Sequence, residues 1–411
     1  MEFFLLIKKE SFGNMGIFLL SLILAISGVY STKFFSILLP LFASGLFITQ
    51  KGWQHIKIYL PGLAVFFLLI LGWSGLSLLW TINLGAGLKS FFSLGATLFF
   101  SYIFLCCVLQ GDSNFIQRAY KLLMLSALFL AVVVVFQSYM DAFNIKGLAH
   151  PSYLLKPSAS ILGLFGFGAC AFLWAGDKKT LSIISFVFIG LLLTLTTCQT
   201  AIYAYVFASC VFALSYAMPF WTTRLAMLGS YTLLLLTPIL HAYIFLPVKM
   251  LSLPYYFVFL TNSFFHRLLA WEFYAHKFFE RPFLGWGISS SRYLFEKPEL
   301  LPGYENTIHP HKAIIQAYVE LGIFGGVLVS FFVAYLFWLV EKHVKDRLAV
   351  AVCNATIVFG LILADMTHSL WANYWLSLCV LAAGSLLLFI KYRAEQKPAE
   401  GGRLKPILAP A

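Results

Sequence analysis

Apolar runs of about twenty residues, the length a helix needs to cross the hydrocarbon core of a bilayer, recur along nearly the whole chain. They fall at Gly16–Tyr30, Phe34–Thr49, Tyr59–Leu79, Ala86–Leu109, Ala119–Met140 and Ser158–Ala175, then at Leu181–Thr196, Thr200–Ala217, Leu225–Tyr243, Ile314–Val340, Ala349–Ala364 and Trp371–Ile390. Only 11% of the 411 residues are charged and 61% are hydrophobic, against roughly 25% charged in soluble domains. The expected fold is an all-α polytopic membrane protein of about twelve transmembrane helices, with one long outer loop that contains short amphipathic helices.

An even number of spans puts both termini on one side, and short loops rich in Lys and Arg stay cytoplasmic. With the N-terminus inside, seventeen cations fall on inner segments, among them Lys8, Lys9, Lys178, Lys179, Arg224 and Arg347. The short outer loops hold four: Lys33, Lys89, Lys146 and Lys156. The long segment after the ninth span then lies outside with seven more, which does not violate the rule because long loops escape it. The net charge of +12 is thus explained mostly by topology and anionic lipids, with no nucleic acid needed. The expected organisation is residues 1–243 for the first nine helices, 244–313 for the outer loop, 314–390 for the last three, and 391–411 as a disordered cytoplasmic tail. Met1 to Tyr30 reads as an uncleaved first span. The seven Cys lie in or at the ends of spans without CxxC spacing, so neither a disulfide framework nor a zinc site is indicated.

The outer loop is the one long stretch that cannot lie inside a bilayer. Within it, Phe264 to Glu280 sets Phe264, Leu268, Trp271 and Phe278 opposite Arg267, His276 and Lys277, which predicts an amphipathic helix at the interface. Pro282 ends it, and Phe283-Leu284-Gly285-Trp286-Gly287 reads as a tight apolar turn. Seven of the nine His fall at or beyond the outer surface, including His309, His311 and His368. Imidazole can take a proton from a hydroxyl near neutral pH, and His311 sits where the chain re-enters the membrane. His309 and His311 form an HxH pair, but a zinc site wants three or four ligands, so no metal is expected. Arg267 offers a guanidinium fork suited to phosphate; headgroup anchoring is the plainer alternative. Glu320 is an intramembrane acid, a functional candidate by default, or else a partner for a loop cation. Gly322 and Gly326 have GxxxG spacing, which permits close helix packing. Without a nucleotide motif, an outer-face enzyme must draw its free energy from the substrate itself, as a polyprenyl pyrophosphate sugar allows.

The runs Arg267-Leu268-Leu269-Ala270-Trp271, Glu280-Arg281-Pro282-Phe283-Leu284-Gly285-Trp286-Gly287, His309-Pro310-His311 and Glu320-Leu321-Gly322-Ile323-Phe324-Gly325 resemble the signature of the O-antigen ligase and polymerase superfamily. The resemblance implies a metal-independent, cofactor-free inverting glycosyltransferase. It would move a glycan from undecaprenyl pyrophosphate onto an acceptor at the periplasmic face of the bacterial inner membrane. By position, the resemblance makes His311 the base and Arg267 the pyrophosphate ligand; Arg281 matches no functional position of the family and is a helper at most, and His309, Glu320 and His368 are supporting candidates on the grounds of their placement alone. The chain departs from the pattern twice. Gln199 stands where relatives carry an Arg between the seventh and eighth spans, with Lys156 or Arg292 to compensate, and Lys312 replaces the usual Asn after the motif His.

These features favour a lipopolysaccharide O-antigen ligase whose donor is an undecaprenyl-pyrophosphate-linked glycan and whose acceptor is the lipid A core. The O-antigen polymerase and a protein O-oligosaccharyltransferase are the alternatives in the same class. A secondary transporter or lipid carrier is the competing class, disfavoured because cations and His gather at one face and not along the midplane.

Overall fold

The computed structural model describes residues 33–49, 60–111, 126, 129–139, 156–196, 198–244, 262–294 and 310–396. The expected first span at Gly16–Tyr30, most of residues 112–128, the loop holding His309, and residues 397–411 lie outside them. Every regular element described is helical. In chain order these are α1 (Phe34–Thr49), α2 (Pro61–Leu76, continued by a 3-10 turn to Leu79), α3 (Leu84–Gln110), α4 (Phe129–Tyr139), α5 (Lys156–Ala175), α6 (Lys179–Leu195), α7 (Gln199–Ala217), α8 (Pro219–Ile239, continued by a π turn to Ile244), α9 (Asn262–Glu280), α10 (Ala313–His343), α11 (Arg347–Met366) and α12 (Asn373–Gln396).

Eight of these, α2, α3, α5, α7, α8, α10, α11 and α12, are long and apolar enough to cross a membrane, while α1, α4 and α6 are apolar but shorter. The protein is therefore an α-helical polytopic membrane protein. The twelve spans read from hydropathy correspond, among the described residues, to eight full-length and three shorter apolar helices.

Local chemistry sets the helix ends. Pro61 and Pro219 open α2 and α8, where the missing N–H costs nothing. Asn83 caps α3 by accepting from the Ala86 N–H at 3.0 Å, and Asp346 caps α11 through Ala349 at 3.1 Å. The centre of the bundle is α11, which packs along α7 and α5. Ala201, Ala204 and Ala208 on one face of α7 are fully buried, because small side chains let two backbones approach closely. Helical order runs past Ile390 to Gln396. Lys391 donates to the carbonyls of Leu109 and Gly111, and Arg393 pairs with Asp346 at 2.9 Å.

Two features position the site. Helix α9 buries Ala270, Trp271, Tyr274, Ala275 and Phe278, the i, i+4, i+8 stripe of an amphipathic helix. That stripe packs on α10 and α8, so the apolar face expected at the membrane interface is covered by protein. Helix α10 is broken at Gly322, where φ is 67° and ψ is −165°. The freed backbone groups are taken up by the segment following α9: Ile323 N–H donates to the Pro282 carbonyl at 2.7 Å, Trp286 N–H to Val319 at 2.9 Å and Gly287 N–H to Glu320 at 2.8 Å. The Trp73 indole covers the Leu321 carbonyl at 2.8 Å. Non-helical backbone at membrane depth is tolerated only where protein satisfies it in this way. The Gly322/Gly326 spacing read as a helix-packing motif is therefore, at Gly322, a break that admits a loop.

Candidate functional site

The N-terminal end of α10 gathers residues from four segments. His311 precedes the helix in the left-handed region, at φ 52°, a conformation that a non-glycine residue holds only when its surroundings impose it. On one side, the Trp271 indole donates to the Pro310 carbonyl at 3.0 Å. On the other, His311 Nδ1 lies 3.4 Å from the Thr367 carbonyl. A carbonyl can only accept, so this contact favours the tautomer with the imidazole proton on Nδ1, in which Nε2 is the accepting nitrogen.

Lys312, the N-cap residue of α10, is buried and pairs with Asp365 of α11. Its ammonium lies 4.8 Å from the Trp271 ring centroid, within cation–π range. The departure from Asn at this position is thus balanced by a carboxylate from another helix. The His368 ring stacks on Trp375 with centroids 4.0 Å apart, and its Nδ1 lies 3.3 Å from the Tyr374 hydroxyl. Burial first, and His311 second, lower its pKa from 6.5 to about 3, so this imidazole stays neutral at ordinary pH.

Arg267 lies one turn before Trp271 on α9 and reaches Thr200 Oγ1 at 3.5 Å. Thr200 follows Gln199, the exposed first residue of α7. The structure therefore sets Arg267 beside the first turn of α7, which Gln199 opens, and on the helix whose Trp271 bonds the residue before His311. Arg281 is exposed and lies 4.1 Å from the Trp286 ring centroid, beside the turn and away from His311's bonds. Arg292 is exposed in the 3-10 turn Ser291–Tyr293. Lys156 begins α5, with its side chain outside the description, and His309 is not among the described residues.

Glu320 is fully buried. It accepts from the N–H groups of Ser289 at 2.5 Å and Ser291 at 3.3 Å, from Gln316 Nε2 at 3.0 Å and from the Trp371 indole at 2.5 Å. The loop cation expected as its partner is thus replaced by four neutral donors. Tyr274 closes the same knot by donating to the Ser291 carbonyl at 3.0 Å; burial, then the Glu320 charge, push its phenol above its ordinary pKa. Sequence reasoning missed Trp371, Gln316 and Thr367. Only Gln316 left a trace, at i, i+4 from Glu320 on one helix face.

The class these features define is a helical membrane protein with a polar site at one end of its bundle, where His311 and the Arg267 guanidinium lie on either side of Trp271. Residues 184–330, which run from α6 to within α10 and include Arg267, His311 and Glu320, match the family described as O-antigen ligase. A Rickettsia conorii protein provisionally named polysaccharide ligase is 23% identical over 349 residues, covering 82% of this chain and 81% of that protein. A Rickettsia typhi protein of the same provisional name is 21% identical over 328 residues, 75% and 76% of the two chains. One from Rickettsia prowazekii is 29% identical over 123 residues, 27% and 29% of the two. The match and these relatives support a likeness to the O-antigen ligase superfamily. No solved structure matches it.

Proposed function

We propose that this protein is an inner-membrane glycosyltransferase that transfers O-antigen polysaccharide from undecaprenyl pyrophosphate to the lipid A core at the periplasmic face. The family match and the names of the relatives support a polysaccharide ligase activity; donor, acceptor and residue roles are our reading. In the reaction, an acceptor hydroxyl oxygen attacks the anomeric carbon while the bond from that carbon to the pyrophosphate oxygen breaks. His311 Nε2 takes the hydroxyl proton, and undecaprenyl pyrophosphate leaves as an anion. Arg267 binds the diphosphate, where a guanidinium favours the charge that develops on the leaving group. Gln199 is a neutral donor at the start of α7, and the exposed Arg292 of the Ser291–Tyr293 turn is the candidate to supply the charge that Gln199 lacks. His309 lies two residues before the base.

One observation carries the reading. The Trp271 indole, one turn along α9 from Arg267, fastens the Pro310 carbonyl immediately before His311, so the helix that carries the proposed phosphate ligand also anchors the residue preceding the proposed base. Purified protein given a lipid-pyrophosphate glycan and a core lipid in detergent tests it, with and without chelator. His311→Ala is expected to lower kcat roughly 10²- to 10⁴-fold, and Arg267→Ala to raise the donor KM as well as lowering kcat. Transfer at the wild-type rate by His311→Ala rejects the base assignment, and transfer abolished by chelator replaces it with a metal mechanism.

A further inference from the structure

We propose that Gln316 and Glu320 are positioning residues for His311: together they hold the 367–371 turn whose Thr367 carbonyl sets the tautomer of that ring. The proposal rests on the reading of His311 as the base. Gln316 Oε1 accepts from Ser369 Oγ at 3.0 Å and from the Leu370 N–H at 2.9 Å. Gln316 Nε2 donates to Glu320 Oε1 at 3.0 Å, and Glu320 Oε2 accepts from the Trp371 indole at 2.5 Å. Three consecutive residues of the turn are therefore tied to one face of α10. The amide orientation is unambiguous, since both partners of Oε1 are donors and the partner of Nε2 is a carboxylate oxygen. Thr367 lies two residues upstream, at the C-cap of α11, where its hydroxyl bonds back to the Leu363 carbonyl at 2.6 Å. Its own carbonyl is the group that faces His311 Nδ1.

The geometry gives the pair a task beyond anchoring. If the turn shifts, the Thr367 carbonyl leaves Nδ1 and the imidazole proton is free to occupy Nε2, the nitrogen that must be unprotonated to accept from the acceptor hydroxyl. A helix residue that bonds only to a loop would stabilise the fold; one that fixes a ring tautomer acts on kcat. Sub-ångström errors in the placement of a reacting group cost heavily in rate and little in ground-state binding.

The test uses Gln316→Met, which keeps length and removes the amide, and Ser369→Ala, which removes one of the four bonds and leaves the fold least disturbed. Each is assayed for transfer with the lipid-pyrophosphate glycan and core lipid, and the His311 ring is observed by nitrogen NMR, assigned by difference against His311→Ala. Gln316→Met is expected to lower kcat roughly 10- to 100-fold at an unchanged acceptor KM and to convert a single Nδ1–H tautomer into a mixture. Ser369→Ala should show the same pattern to a smaller extent. An unaltered tautomer in both variants overturns the proposal, as does a loss carried by KM alone. Should His311→Ala itself retain the wild-type rate, the base assignment fails instead, an outcome distinct from a dispensable Gln316 beside an essential His311.

Discussion

Gly322→Ala probes the break in α10 on which the site is built. At φ 67° and ψ −165° the residue occupies a region that only glycine enters readily, and forcing another residue there costs about 1–3 kcal/mol. A Cβ at this position would also run into the Phe283 carbonyl. That carbonyl belongs to a segment fastened on both sides, by Ile323 N–H to Pro282 at 2.7 Å and Trp286 N–H to Val319 at 2.9 Å, so it cannot retreat without giving up a bond. Overpacking, or one buried backbone group left unsatisfied, adds about 1–3 kcal/mol. The expected destabilisation is about 2–6 kcal/mol, read from reversible unfolding in mixed detergent and SDS micelles. Gly229→Ala is the control. It lies within α8 with nothing within 4 Å of a built Cβ, so the substitution should be neutral or stabilise by up to about 1 kcal/mol. A Gly322→Ala protein as stable as the Gly229→Ala control would refute the broken helix, and with it the docking of residues 282–291 against Glu320.

Other expected outcomes follow from the same contacts. Trp271→Phe keeps the ring but removes the bond to the Pro310 carbonyl, which should cost about 1–3 kcal/mol of stability and lower kcat; an unchanged kcat would separate Trp271 from the positioning of His311. Lys312→Met leaves Asp365 without its ammonium and should destabilise by about 3–5 kcal/mol. Adding Asp365→Leu should restore most of that, and a double variant no better than the single would show that the pair is not the source of the loss. The neutral His368 predicts a pH dependence of stability. Its folded pKa of about 3 lies below the unfolded 6.5, so between those values the unfolded chain binds the proton and the folded one does not. Stability therefore falls as pH drops below about 6.5, by up to about 1.4 kcal/mol per unit, and His368→Phe, which keeps an aromatic ring against Trp375, should flatten that slope in unfolding measured at pH 7 and pH 5.

Much of the architecture was legible because a bilayer leaves an apolar run of twenty residues few choices. Helix α1 begins and ends at Phe34 and Thr49 as hydropathy predicts, and α7, α10 and α11 start within two residues of the expected positions. The break at Gly322 was not legible, since Leu321, Ile323 and Phe324 continue the apolar pattern across it; what identifies the break is the Pro282–Gly287 loop, which lies far upstream in the chain. Trp371 was read as the first residue of the last span, yet the helix opens at Asn373 and the indole serves Glu320. Lys312 stood out in sequence as an anomaly. Its partner Asp365 lies on α11, beyond the reach of any local pattern.

The way Glu320 is held bears on the choice between an enzyme and a carrier. An acid that carries ions or protons through a membrane exchanges partners as it works, so its surroundings have two arrangements of similar free energy. Glu320 instead meets donors from three segments at once, Ser289 and Ser291, Gln316, and Trp371. Two of these are backbone N–H groups within a loop that is itself fastened to α10. Moving Glu320 away from any one of them leaves that donor unpaired, at about 1–3 kcal/mol each, so an alternative arrangement lies several kcal/mol higher. Such a carboxylate organises and does not relay. That stiffness suits the proposed reaction, in which the rate would depend on the placement of His311, since preorganised groups lower a barrier only if they need not move to do so.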